Sequence, residues 1–212
     1  FFLMVGIPAS LDPSKDEERS KICAAMQHLG IEMKLPQITI ASAIIFFHRY
    51  FTKYTFEERD KEAVSYACLF LAGKVEESPT KLRDLIITMY KVRYRNTITQ
   101  ESPQYREWRD KILRNERSLL RVVGFDFNVD HPYTHLLRKI RSLQHEDPKQ
   151  LTQIAWNFIN DSLRTTLCIQ YDAKAIAATS IYLAAQYLKQ PLKGVSRNEW
   201  FEALDCSHET VE

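Results

Sequence analysis

One stretch in the first half of the chain limits the possible fold more than any other segment. Residues 63–77 read Ala-Val-Ser-Tyr-Ala-Cys-Leu-Phe-Leu-Ala-Gly-Lys-Val-Glu-Glu, so the stretch is small or apolar on nearly every side until its charged end. A helix with so little polar surface must be buried among other helices. Ser78-Pro79 ends it, because a residue that precedes proline avoids helical backbone angles. The stretch therefore predicts a helical domain built around residues 63–77.

The charges at the end of this helix indicate a site at the surface. Lys74 follows Phe70 by four residues, so it lies on the same face as the buried stripe. Glu76 and Glu77 come at the helix C-terminus, where the macrodipole disfavours a negative charge by about 0.3–1 kcal/mol. Charges placed against the dipole do not stabilise the helix, so we interpret them as a group presented to something outside.

The composition is that of a globular protein and argues against several classes of function. The chain has 212 residues, of which 45% are hydrophobic and 26% charged, enough for a sizeable core. A net charge of +2 is too balanced to predict binding to nucleic acid or to a membrane surface. The five glycines are not clustered, so no phosphate-binding loop is expected. We also expect no membrane span and no signal peptide in the opening Phe-Phe-Leu-Met-Val.

The cysteines and histidines do not form a metal or catalytic pattern. The four cysteines are scattered along the chain: Cys23, Cys68, Cys168 and Cys206. This favours free thiols and a reducing, intracellular compartment. His131 and His135 are four residues apart, but Pro132 lies between them and no third ligand is evident. We therefore expect no metal, no cofactor and no catalytic residue.

The helical patterns predict an all-α chain in two parts. Helices are expected at about 13–30, 37–52, 60–77, 80–90 and 103–123, and then at about 132–144, 148–165, 172–188 and 196–204. The connection between the halves is short and apolar, so the halves are expected to pack together rather than swing. We place the domains at 10–128 and 129–212, and we expect the second to be incomplete because a last helix only begins there.

The two halves also resemble each other. A shift of 112 residues aligns Ala63, Leu71 and Ala72 with three identical residues of the second half. These are Ala175, Leu183 and Ala184. Coincidence between two alanine-rich helices is the alternative, but the matched helices and loops before them favour a duplicated five-helix unit. The same shift sets Gln186 on Lys74, so the charged end belongs to the first copy only. A repeated core with an unrepeated charge predicts a site on the first copy.

Glu116 is a carboxylate in an apolar position. The fifth helix has an apolar stripe of Trp108, Ile112, Leu119, Leu120 and Val123. Glu116 follows Ile112 by four residues and precedes Leu119 by three, so it lies in that stripe. A buried carboxylate must find a cation, because burying it unpaired is costly. One alternative is a bridge to a neighbouring arginine, and the other is a pair with Lys74 across packed helices, with both directed at an external partner.

Two basic segments have bland interpretations. The segment Tyr-Lys-Val-Arg-Tyr-Arg at 90–95 interleaves aromatic and basic residues as nucleic-acid contacts do, but a solvated loop after the fourth helix is favoured. The fifth helix is rich in arginine at positions 106, 109, 114, 117 and 121. Most of these are expected to form an exposed face offset by nearby acids.

Several of these segments together resemble a cyclin box. The segments are Ile-Ala-Ser-Ala-Ile-Ile-Phe-Phe-His-Arg-Tyr-Phe at 40–51, Phe-Leu-Ala-Gly-Lys-Val-Glu-Glu at 70–77, Asn-Glu-Arg-Ser-Leu-Leu at 115–120 and Gly-Phe-Asp-Phe at 124–127. His-Pro-Tyr-Thr-His-Leu at 131–136 and Asn-Asp-Ser-Leu-Arg-Thr-Thr at 160–166 are similar to the transcriptional cyclins of the K and T types, with the L type left open. The resemblance extends from about residue 10 to 205.

The resemblance implies a tandem pair of five-helix cyclin folds that binds and activates a transcriptional cyclin-dependent kinase. In such cyclins the residues matching Lys74 and Glu116 grip the kinase near its C-helix. Glu76, Glu77 and Phe70 match the same contact region, whereas the positions matching two further residues are structural. These two are Arg49 and Ala72.

Further expectations follow from the same resemblance. They are a heterodimer with the kinase, phosphorylation of the RNA polymerase II C-terminal domain, a nuclear location, and no direct contact with nucleic acid or membrane. A DNA-binding adaptor like general transcription factor B, which has the same duplicated fold, is the alternative. A strongly basic, salt-sensitive surface would distinguish it.

Overall fold

The computed structural model describes residues 13–143 and 146–189, and within those ranges every regular element is a helix. This confirms the predicted all-α class. The helices are α1 (Pro13–Glu32), α2 (Gln37–Tyr50), α3 (Lys61–Val75), α4 (Leu82–Tyr94), α5 (Pro103–Val123), α6 (Pro132–Ser142), α7 (Pro148–Ser162), α8 (Leu167–Gln170) and α9 (Ala173–Tyr187).

The chain divides into two compact units, at Phe1–Phe127 and Asn128–Glu212. In the first unit α3 is the central helix, and it packs against α1, α2 and α5. Its alanines Ala63, Ala67 and Ala72 are fully buried, since a side chain this small lets neighbouring helices approach closely. The Asp60 side chain accepts a hydrogen bond of 3.0 Å from the Ala63 backbone N–H and so caps the helix. The predicted burial of the helix at 63–77 is confirmed over residues 63–73, except at Tyr66, which is half-buried.

The second unit is built around α9, which packs against α6 and α7. Ala175, Ala178 and Ala184 are buried in it. Asp172 caps α9 as Asp60 caps α3, and its side chain accepts a 2.6 Å hydrogen bond from the Ala175 backbone N–H. The alanine-rich helix is therefore the core of both units, as the repeat predicted.

Three details differ from the sequence-based expectation. The segment at 90–95 is not a loop, because α4 continues to Tyr94 and ends at Arg95 in the left-handed region with a φ of 50°. Within α4 the rings of Tyr90 and Tyr94, one turn apart, are in contact at a tilt of 42° with centroids separated by 4.6 Å, which favours the longer helix. The short helix α8 was not predicted, and the helix expected at 196–204 lies outside the described residues.

The expectations on cysteines, metals and membranes concern the described residues only. Cys23, Cys68 and Cys168 are not in disulfides within the described ranges, and Cys206 lies outside them. Across 13–143 and 146–189 the structure brings no three metal-ligating side chains together. In the same ranges, none of the helices has the length and hydrophobicity that a bilayer crossing requires.

Candidate functional site

Lys74 and Glu116 form an ion pair between two packed helices of the first unit. The Lys74 Nζ atom donates to Glu116 Oε1 over 2.6 Å. Lys74 stands in the last turn of α3, where a cation is favoured by the macrodipole, and Glu116 stands in the second half of α5. Of the two alternatives for Glu116, the structure has the pair with Lys74 and not the bridge to an arginine.

The two members of the pair differ in exposure. The Glu116 side chain is 11% exposed and the Lys74 side chain 47%. The ammonium also lies 4.0 Å from the centroid of the Phe70 ring, which is itself only 8% exposed. This distance is within the range of a cation–π contact. Lys74 is therefore anchored by a carboxylate and an aromatic face while its outer side remains open to solvent.

Both ends of α5 are fixed by local sequence signals. The Ser102 side chain caps α5 by accepting a 3.2 Å hydrogen bond from the Tyr105 backbone N–H, and Pro103 follows at the first helical position. Gly124 ends α5 in the left-handed region with a φ of 66°. Helix α5 packs against α3 along its apolar stripe. Its two ends therefore determine the position along α3 at which Glu116 lies, which is beside Lys74.

The chain turns back closely over the end of α3. The Ser78 backbone N–H donates to the Gly73 carbonyl over 2.9 Å, and a Cβ atom at Gly73 would come within 3.1 Å of the Ser78 carbonyl oxygen. Glycine is the residue that this approach tolerates best. The turn places Glu77 in the left-handed region, with a φ of 50°, and its side chain is exposed beside the ion pair's helix.

Glu76 is oriented differently from the exposed charge that the sequence predicted. Its Oε1 atom accepts a 2.6 Å hydrogen bond from the hydroxyl of Ser42, a fully buried residue of α2. Next to it, the hydroxyls of Thr39 and Ser78 are 2.8 Å apart. These contacts attach the exit of α3 to α2 and give Glu76 a role inside the domain. Sequence reasoning missed Ser42 and Thr39, although two small hydroxyls spaced by three residues in an otherwise apolar helix were a usable signal.

Arg49 and Ala72, which the resemblance gives as structural residues, have contacts inside the first unit. An Arg49 guanidinium nitrogen donates to the Asp126 backbone carbonyl over 3.3 Å and so connects the end of α2 to the segment after α5. Ala72 is fully buried in α3, two residues before Lys74.

Two titratable groups of α3 have raised pKa values because they are buried. Burial, with smaller contributions from Tyr94 and Asp60, raises the pKa of Tyr66 to about 12. Burial raises the pKa of the Cys68 thiol well above its usual range, with Cys23 adding to the effect. Both groups are protonated at neutral pH, so neither offers a nucleophile or a base.

Comparison with protein families gives two adjacent matches. The family model for the N-terminal domain of cyclins matches residues 7–128. The model for the C-terminal domain of cyclin-T2-like proteins matches residues 131–212. Together these matches extend over nearly the whole chain.

Curated relatives are named as cyclins, several of them of the T and L types. The chain is 39% identical over 209 residues to Cyclin-T1-4 of Arabidopsis thaliana, covering 96% of this chain and 38% of that protein. It is 37% identical to Cyclin pch1 of Schizosaccharomyces pombe, covering 98% and 63%. It is 33% identical to human Cyclin-L1, covering 94% and 39%. The chain thus spans between 38% and 63% of the length of these relatives.

Solved structures share the fold. A chain of the yeast RNA Pol II CTD kinase CTDK-1 complex superposes with a TM-score of 0.76 at 20% identity, covering 94% of this chain and 63% of that one. A chain of the yeast TFIIK (Kin28/Ccl1/Tfb3) complex superposes with a TM-score of 0.68 at 18% identity, covering 97% and 88%. At these identities the likeness establishes the architecture of tandem helical units.

Proposed function

The chain belongs to the cyclin family, with its similarity to the transcriptional type, and from that premise we propose that it binds and activates a transcriptional cyclin-dependent kinase. The observation that carries the proposal is the Lys74–Glu116 pair of 2.6 Å on the first unit. Members of this family are regulatory subunits, so the kinase would supply every catalytic group. The names of the relatives and of the solved kinase complexes support the same assignment.

The chemistry of the pair suits the end of a partner's helix or loop. An ammonium has three N–H donors, and a carboxylate has two oxygens that each accept more than one hydrogen bond. The contact between Lys74 and Glu116 uses one donor and one oxygen. The remaining capacity fits backbone carbonyl and N–H groups of a kinase segment, which need partners at a helix terminus.

A pair of this kind has more value for binding than for stability. Burying a salt bridge costs desolvation that the attraction often only offsets. The Glu116 side chain is 11% exposed and the Lys74 side chain 47%. The two side chains are therefore already oriented before a partner binds, and the Lys74 side of the pair remains open to solvent. Binding to the Lys74–Glu116 pair would hold the kinase C-helix in its inward position. In that position the C-helix glutamate of the kinase forms the ion pair with the kinase's own lysine that catalysis requires. Activation then follows from preferential binding of the active conformation.

The surrounding residues have graded roles in this proposal. Glu77, three residues after Lys74, is exposed and contacts the kinase directly. Phe70 orients the Lys74 ammonium through its ring face. Glu76 contributes to the site mainly through the shape of the α3 exit, because its carboxylate is bonded to Ser42. The proposed domains are 10–128 and 129–212, in a heterodimer with the kinase, in the nucleus, promoting phosphorylation of the RNA polymerase II C-terminal domain and touching neither nucleic acid nor membrane.

The test is a double substitution in the tagged chain, Lys74→Ala with Glu116→Ala. We expect the variant to lose both capture and activation of the kinase that copurifies with the unmodified chain, while its helical circular dichroism remains. The matched control is Lys61→Ala with Glu18→Ala, which removes another ion pair between helices of the same unit. Full capture and activation by the Lys74/Glu116 variant would refute this site.

A further inference from the structure

The solvent side of α5 has a row of arginines that the Lys74–Glu116 site does not use. Helix α5 packs its apolar stripe against α3, and the opposite side exposes four arginines: Arg106, Arg114, Arg117 and Arg121. Their separations of eight, three and four residues place them along one line of the helix. At 1.5 Å per residue the row is about 22 Å long.

The four arginines are not neutralised within the part of the chain that the structure describes. None of them lies within ion-pair distance of a carboxylate there. The acids of the same helix have other ion-pair partners: Asp110 pairs with Arg109 over 3.0 Å and Glu107 with Lys111 over 2.8 Å. Asp110 lies on the line of the row between Arg106 and Arg114, and its backbone carbonyl accepts a 3.2 Å hydrogen bond from Arg114. The expected offset by nearby acids is therefore right for Arg109 and wrong for the row, which keeps four positive charges.

The residue type in the row indicates the kind of anion. All four are arginine, whose planar guanidinium forms paired hydrogen bonds with a phosphate, whereas lysine acts as a point charge. An extended peptide advances about 3.3 Å per residue, so phosphates on every second residue are about 6.6 Å apart. Arg114, Arg117 and Arg121 are separated by three and four residues, or about 4.5 and 6 Å along the helix axis, which is comparable with that spacing, whereas Arg106 lies about 12 Å from Arg114.

The surroundings favour a peptide over a nucleic acid. Proteins that bind single strands stack the bases on exposed aromatic side chains. The aromatic residues of α5 are Tyr105 and Trp108, which are buried at 7% and 8% exposure on the packing side. Within the row, α5 therefore offers guanidinium groups and no exposed aromatic ring, and the exposed ring that follows the helix is Phe125, beyond the end of the row.

We propose that the row formed by Arg106, Arg114, Arg117 and Arg121 binds an extended, multiply phosphorylated peptide. At 3.6 residues per turn the centre of the row is turned by about 120° around α5 from Glu116. Glu116 and the row therefore lie on different sides of α5, and the proposal takes them as two separate binding surfaces. The binding is a property of this chain alone and does not require the kinase.

Fluorescence anisotropy with the whole chain tests this. The probe is a labelled peptide with phosphoserine at every second position and glycine between, at about 0.1 M salt. Replacing Arg114, Arg117 and Arg121 by glutamine is expected to weaken binding about tenfold or more, because several charge-assisted hydrogen bonds are lost. The same three positions changed to lysine keep the charge but lose the paired geometry, and we expect an intermediate affinity.

A charge-matched control removes three cations that have acidic neighbours: Lys21→Gln, Arg83→Gln and Arg109→Gln. It is expected to change the affinity by less than about twofold, since its charges are already offset. All the substitutions are at exposed positions, so thermal melting should stay close to that of the unmodified chain.

Four outcomes would overturn the assignment. They are unchanged binding by the glutamine variant, an equal loss in the control, equal affinity for the unphosphorylated peptide, and tighter binding of a single-stranded oligonucleotide of the same charge. Unchanged peptide binding by the Lys74→Ala/Glu116→Ala variant supports two separate surfaces. A loss of peptide binding there would refute the separation, whatever the kinase assay gives.

Discussion

Helices α3 and α9 occupy equivalent places in the two units and differ mainly in what surrounds their ends. A shift of 112 residues takes Lys61 to Ala173 and Val75 to Tyr187, so both helices begin and end in register. The same shift takes the capping Asp60 to Asp172. The duplicated features are thus the cap, the length and the alanine face, which are the features that build a core.

The C-terminal ends of α3 and α9 have the same backbone conformation but side chains of different charge. Glu77 and Lys189 are equivalent by the shift, and both are left-handed, with φ values of 50° and 55°. Their charges are nevertheless opposite, and Gln186 stands where Lys74 has its ion pair. The comparison teaches that the fold fixes the direction of the exit, while the side chains added there decide whether it is a site.

The largest contrast is expected from one leucine at the same place in each helix. Leu71 is 4% exposed, whereas its equivalent Leu183 is 42% exposed. Leu71→Ala should lower the free energy of unfolding by about 3 kcal/mol, and Leu183→Ala by about 1 kcal/mol or less. Urea unfolding followed by circular dichroism measures both. An equal loss at the two positions would show that Leu183 is covered in the intact protein and would weaken the contrast.

Alkaline pH should weaken the first unit through α3 but not the second through α9. Burial raises the pKa of the Cys68 thiol and of the Tyr66 hydroxyl, and their equivalents in α9 are Ser180 and Ala178. Above about pH 9 the unfolded chain releases the thiol proton that the folded unit retains, so stability falls by up to about 1.4 kcal/mol per pH unit.

This pH dependence is checked by unfolding at a series of pH values. Below the usual thiol pKa the full contribution of protonated Cys68 is present, and it is lost as the pH rises. Cys68→Ala should flatten the slope between about pH 8.5 and 10, and Tyr66→Phe should flatten it between about pH 10 and 12. An unchanged slope in the Cys68 variant would contradict the burial effect.

The ion pair gives a smaller and more specific contrast. Lys74→Ala leaves the nearly buried carboxylate of Glu116 without its cation and should cost about 1–2 kcal/mol, reduced from the fully buried value because Lys74 is half exposed. Gln186→Ala, at the equivalent exposed position of α9, should cost about 0.5 kcal/mol or less.

A second variant separates stability from binding at the ion pair. Lys74→Met with Glu116→Leu replaces both charges by apolar groups, and its stability should return close to that of the unmodified chain. Kinase capture should remain lost. If this variant still captured the kinase, the pair would be structural and the functional difference between α3 and α9 would lie elsewhere.

The smallest effects should be equal in the two helices. Asp60→Ala and Asp172→Ala each remove one capping hydrogen bond, and each should cost about 1 kcal/mol. Hydrogen exchange of the first-turn amides of α3 and α9 is the appropriate measurement. A large loss in one helix only would mean that the two caps are not equivalent.

The sequence was sufficient for the features that follow from periodicity. An alanine-rich apolar run, a proline at a helix start and a glycine at a helix end specify α3 and α5, because burial and backbone sterics act locally. The same reasoning located Glu116 as a carboxylate that needed a cation, and the structure supplied Lys74.

Features that depend on tertiary direction were beyond the sequence. Glu76 and Glu77 are adjacent, and only the backbone turn over Gly73 decides that one bonds to Ser42 while the other is exposed. The extent of α4 was also missed, because the polar composition of residues 90–95 is typical of a loop, whereas the contact between the Tyr90 and Tyr94 rings favours the helix. The sequence also did not predict the unpaired arginine row of α5, because it does not show that Asp110 and Glu107 form ion pairs with Arg109 and Lys111 instead.

The Lys74 amine joins two contacts through a single nitrogen atom. Its positive charge is what both the Glu116 carboxylate and the Phe70 ring recognise. Acetylation of that nitrogen would abolish the charge and leave one N–H, so the ion pair and the cation–π contact would be lost in one chemical event. With a side chain that is 47% exposed, the amine is open to a modifying enzyme as long as no partner covers it. Occupancy by the kinase and covalent modification would then exclude each other at this atom.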